Sequence, residues 1–101
     1  MNGKYISSKR DSSYWEIHQF YKPYLKVLDN EYVLFDAVTG DTSRVPQLEG
    51  FIIERLLDRS LQIPELASLI EINASDSLED VKDELHQVLI KMEELQMVIS
   101  R

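Results

Sequence analysis

The sequence predicts an α+β fold of winged-helix-like arrangement, a three-stranded antiparallel sheet followed by three helices. Three observations predict it. Between Leu25 and Val45, β-favouring runs are punctuated by turn residues; Pro46 then closes the region; and beyond it apolar residues recur every three or four positions as far as Leu95. The 101 residues suit a single domain with one core. Composition divides them into a flexible polar tail, residues 1–13 (MNGKYISSKRDSS), and one folded domain, residues 14–101.

Taken in order, WEIHQF from Trp15 alternates imperfectly and reads as a short strand. Pro23 interrupts it, as suits an edge or a strand start. Leu25–Leu28 is the first strand of the meander. Asp29-Asn30 tolerates positive φ and makes a two-residue hairpin turn. The continuous apolar run Tyr32–Phe35 suggests burial on both faces or a central position. Val38-Thr39-Gly40 supplies the next turn, Gly40 taking the left-handed conformation that closes a type I turn with a bulge. Asp41–Val45 is the third strand, with Thr42 and Arg44 facing one way and Ser43 and Val45 the other.

Pro46 cannot donate to a ladder and ends the pairing. Leu48, Phe51, Ile52 and Leu56 then repeat at helical spacing, so a helix runs from Leu48 to Leu57. Gly50 inside it costs about 1 kcal/mol relative to alanine and implies close approach of another element's backbone. Ser60-Leu61 connects to a short second helix, with Pro64 in its first turn and Leu66, Ala67, Leu69 and Ile70 on its apolar side. Asn73–Asp76 is a loop. Ser77 with Asp80 three residues on resembles a capping box, and an apolar stripe follows at Leu78, Val81, Leu85, Val88, Met92 and Leu95. Met97-Val98-Ile99 reads as a final stub of strand.

Composition excludes several chemistries. Without cysteine there are no disulfides, thiolate metal sites, iron–sulfur clusters or cysteine nucleophiles. None of the three glycines belongs to a phosphate-cradling loop. Asp83 and His86 share a helix face but have no further ligands at metal-binding spacing, and Ser, His and Asp stand in no catalytic signature. The expectation is a non-enzyme with no cofactor and no metal. Residues 1–45 hold six Lys/Arg and six Asp/Glu, whereas residues 46–101 hold five against twelve, so the helical half carries the net charge of −7. Its acidic cluster, Asp76, Glu79, Asp80, Asp83 and Glu84, reads first as a solvated face that compensates the helix dipole. Such a surface predicts no nucleic-acid partner. No apolar run approaches the roughly 20 residues of a membrane span, and no apolar stretch follows the basic N-terminus, so the expected location is the cytoplasm. If Asp41–Val45 is a sheet edge, it offers a template for another chain; periodicity does not choose between that and a covered edge.

The run LKVLDNEYVLFDAVTGDTSRVPQLEGFIIERLL, then IPELASLI, then DVKDELHQVLIKMEELQMV, resembles the PqqD-like peptide chaperones, the recognition elements for ribosomally made precursor peptides. It is similar to the branch associated with HPr-kinase-like proteins, and the resemblance covers about residues 14–99. It departs from the family's pattern at Pro46, Gln47 and Gly50, near which relatives carry asparagine and small residues, and at Gln96, where glycine is usual. The resemblance implies a non-catalytic adaptor that captures a leader peptide by strand addition and presents it to a modifying enzyme. The strand side would be Asp41, Thr42, Ser43, Arg44 and Val45. The helix side would be drawn from Val81, Lys82, Leu85, Val88 and Leu89, and spacing does not assign which of these face the core. The partners implied are the precursor peptide and its enzyme; the alternative is a homodimer through the sheet edge or the long helix.

Overall fold

The computed structural model of the chain describes residues 10–37, 39–70 and 77–101. It is α+β, with two three-stranded antiparallel sheets. The strands are β1 (Tyr14–Ile17), β2 (Pro23–Leu28), β3 (Glu31–Asp36), β4 (Thr42–Val45), β5 (Leu61–Gln62) and β6 (Val98–Ser100). The helices that follow β4 are α1 (Gln47–Asp58), α2 (Ile63–Ser68) and α3 (Leu78–Glu94); residues 10–12 are also helical.

The expected meander is present as β2-β3-β4. Asp29 (φ 51°) and Asn30 (φ 64°) are both left-handed, the mirror-image turn that matches strand twist, and Leu28 sits opposite Glu31. At the second turn Gly40 (φ 80°) donates its N–H to the Asp36 carbonyl at 2.7 Å, while Asp36 N–H donates to the Asp41 carbonyl at 2.9 Å. Gly40 and Asp41 together therefore oppose Asp36, the glycine-bulge pattern. Val38, expected in this turn, lies outside the described residues, as do residues 1–9 of the expected tail and the expected loop Asn73–Asp76.

The simple order of three strands followed by three helices does not hold. β1 stands outside the meander, in a second sheet ordered β5-β1-β6, with Trp15 opposite both Leu61 and Ser100. The segment expected as a plain connection at Ser60-Leu61 contributes β5, and the terminal stub is β6. The reason is geometric: α1 and α3 each return the chain beside β1, and two or three residues then suffice to pair. The same sheet holds the C-terminus, where Tyr14 N–H donates to the Arg101 carbonyl and Arg101 N–H donates back.

Trp15, Ile52, Ile63, Leu66, Leu89 and Val98 are among the buried residues of the single core, which is built from the helices and the second sheet. The meander joins it through Leu25 and Leu34, packed beneath α1. In α3 the fully buried side chains are Leu85, Leu89 and Met92, with Val81 and Val88 half-buried beside them; the outer ends of the expected stripe, Leu78 and Leu95, are exposed. Ser77 caps α3 by accepting the Asp80 N–H at 3.1 Å. The helix ends with Gln96 N–H on the Glu93 carbonyl and Met97 N–H on the Met92 carbonyl, and Gln96 takes a left-handed φ of 61°. This is a Schellman turn with glutamine at the position that favours glycine.

Candidate functional site

The Asp36–Asp41 hydrogen bond fixes which backbone groups of β4 point outward. Opposed residues in an antiparallel pair alternate between hydrogen-bonded and non-hydrogen-bonded positions. With Asp36 and Asp41 a bonded position, Leu34–Ser43 and Tyr32–Val45 are bonded too, while Phe35–Thr42 and Val33–Arg44 are not. The N–H and C=O groups of Thr42 and Arg44 therefore face away from β3, along the rim of the sheet. No described strand pairs with that rim. Thr42, Ser43 and Arg44 are exposed and Val45 is half-buried. Arg44 approaches Glu31 at 3.6 Å with both side chains largely in solvent, a pair that contributes at most about 1 kcal/mol.

The opposite rim, on β2, is blunter. There Pro23, Leu25 and Val27 carry the outward backbone groups by the same alternation. Pro23 has no N–H, and Leu25 is committed to the core.

One face of the meander is apolar and open. Cross-strand register places Tyr24 beside Phe35 and Thr42, and Lys26 beside Val33 and Arg44. With Leu28, the side chains of Tyr24, Lys26, Val33, Phe35 and Thr42 line a depression of about 370 Å³. Tyr24 is 66% exposed and Phe35 41%. The run Tyr32–Phe35 does occupy the central strand, as one of its two expected readings had it, but it is not buried on both faces. The sequence reading missed this face because β2 alternates weakly: Leu25 and Val27 face one way and Tyr24, Lys26 and Leu28 the other, so a single lysine is all that marks the exterior.

The helix side of the expected site is distributed differently. Leu85 and Leu89 have no exposed surface and belong to the core, so neither is available to line a groove. Val81 and Val88 are half-buried against that core. Lys82 is occupied: its Nζ lies 3.0 Å from Asp11 and 3.6 Å from Glu79. Arg10 pairs with Asp11, Glu79 and Asp83. Residues 10 and 11, at the end of the expected tail, are thus clamped on α3. Within the acidic cluster, Glu79 and Asp83 face this clamp, Asp80 lies at the cap, and Asp76 is outside the described residues. α3 packs chiefly on α2 and β6, while the helix contacting the meander is α1.

No family model, curated protein or solved structure matches this chain. The local chemistry therefore has to be read from its own side chains. Burial would raise the Asp11 carboxyl, but hydrogen bonds and charge from Lys82 and Arg10 bring it below the usual range. Burial, followed by the positive charge of Arg10, lowers the His86 imidazole, against the opposing pull of Asp83. Tyr32 is raised by burial and by its hydrogen bond to Glu54 at 3.1 Å. Among the described residues no three His, Asp or Glu side chains gather as a metal site, and no helix is long and apolar enough to cross a membrane.

Proposed function

We propose that this chain is a non-catalytic, cytoplasmic peptide-binding adaptor on a winged-helix-like scaffold. It takes up an extended leader segment of a precursor peptide as a fourth strand on β4 and presents it to a modifying enzyme. The observation that carries this reading is the outward row of backbone groups at Thr42 and Arg44, next to an open apolar face. Strand addition draws affinity from main-chain hydrogen bonds, each contributing about 0.5–1.5 kcal/mol net, and selectivity from alternate side chains. The sequence resemblance to PqqD-like chaperones supports the same site. On α3, the surface left for a peptide is Val81 and Val88, with Lys82 available only if Asp11 releases it.

The test is amide exchange with and without leader segments of short peptides encoded beside this chain. In the free protein, Thr42 and Arg44 amides should exchange quickly while Ser43 and Val45 stay protected. Bound peptide should slow Thr42 and Arg44 selectively. Protection changes confined to other parts of the chain would refute the site. The same open row admits pairing of β4 with β4 of a second copy, and sedimentation at several concentrations distinguishes the two. A tight dimer protecting Thr42 and Arg44 without peptide favours the homodimer.

A further inference from the structure

Resting on the strand-addition reading, we infer that the captured segment carries an acidic residue opposite Arg44 and an apolar residue opposite Thr42, two positions apart. A strand added to β4 continues the cross-strand rows of the meander. One row runs Tyr24, Phe35, Thr42; the next runs Lys26, Val33, Arg44. Side chains of an added strand that pair with Thr42 and Arg44 project on the same face as these rows.

The two positions differ chemically. Thr42 is the smallest side chain in its row, so a long apolar residue beside it reaches over to Phe35 and the depression shared with Tyr24 and Leu28. Arg44 is 78% exposed and only loosely held by Glu31 at 3.6 Å. Its guanidinium is free to turn and take a carboxylate from the added strand through paired N–H groups. Lys26 lies on the same row and reinforces the positive charge. The occupant is therefore an extended peptide with an acidic and an apolar residue at i and i+2, the spacing that puts both on one face. At i and i+3 they fall on opposite faces.

The experiment uses the full chain and a short Thr/Ser host peptide carrying one Asp and one Leu. The pair is placed two apart in both orders, and three apart as the comparison. The better of the two-apart peptides should bind about tenfold tighter than the three-apart peptide, the equivalent of about 1.4 kcal/mol. Arg44→Glu should reverse the charge preference, so that a Lys-for-Asp peptide binds the variant more tightly. Phe35→Ala should abolish the advantage of Leu over Ala in the peptide; Tyr24→Ala serves the same purpose if Phe35→Ala lowers the thermal midpoint. Peptides that protect Thr42 and Arg44 without dependence on spacing, or a preference for Asp that persists in Arg44→Glu, overturn this inference and leave strand addition standing. Absence of any protection at Thr42 and Arg44 with every peptide overturns both.

Discussion

At the scale of single residues, Gly50 shows how tertiary packing reverses a local preference. It is buried in α1 directly beneath Tyr32, and a Cβ placed there would overlap carbons of the Tyr32 side chain. Helix propensity alone says that Gly50→Ala gains about 1 kcal/mol. Overpacking costs about 1–3 kcal/mol, and the ring cannot retreat freely because its hydroxyl is hydrogen-bonded to Glu54. We therefore expect Gly50→Ala to destabilise by about 1–2 kcal/mol in urea unfolding, and the loss to shrink in a Tyr32→Ala background, which removes the overlapping ring carbons but keeps the Tyr32 Cβ 2.6 Å away. A close approach at Gly50 is readable from a glycine inside an amphipathic run. That the visitor is a tyrosine side chain and not another backbone is not readable, since it depends on the tilt of β3 over α1. The turns were fully legible because Asp29-Asn30 and Gly40 encode positive φ locally. Gln96 carries no such mark: its left-handed conformation is imposed by the closing of α3 onto β6.

At the scale of elements, the joint between β1 and α3 is the part the sequence concealed. Strands of two to four residues have too few positions for a period to register, so the second sheet appears only once its distant partners are brought together. Trp15 holds this joint. It is buried, its ring meets the His86 imidazole edge-on at 6.5 Å between centroids, and no described residue accepts its indole N–H. His86 also feels Arg10, Asp83, Asp11 and Glu93. Its folded pKa lies below the ordinary 6.5, so on acidification the unfolded chain takes up the proton first. Stability contributed by neutral His86 is thus complete above 6.5 and falls as pH drops through 6.5 towards the folded value. The urea midpoint should decline as the pH falls through 6.5, and His86→Gln should remove that part of the decline. An equal decline in the variant would assign it to other groups.

At the scale of the whole molecule, charge distribution links the ends of the chain. The acidity of the helical half was visible from composition; that Arg10, a cation of the neutral half, is laid upon it was not. Arg10 and Asp83 are 73 positions apart, and the segment around Arg10 has the polar composition of a solvated tail. In the fold, the Arg10 and Lys82 side chains are only 10% and 13% exposed, and they alternate with Asp11, Glu79 and Asp83. Such a network lies between the exposed pair, which contributes under about 1 kcal/mol, and the buried pair, whose disruption costs about 3–5 kcal/mol. Arg10→Ala should therefore destabilise by about 1–2 kcal/mol at low salt, because it strips Asp83 of its cation, leaves Glu79 with Lys82 alone and makes an already acidic chain more so. The loss should shrink as added salt screens that repulsion. Asp83→Asn breaks the same Arg10 contact while making the net charge less negative, so it separates the two causes. If the local bond dominates, Asp83→Asn also lowers the thermal midpoint; if repulsion across the helical half dominates, Asp83→Asn raises it. Equal midpoints for Arg10→Ala and the parent chain at every salt concentration would mean that the clamp on α3 contributes nothing to holding the fold together.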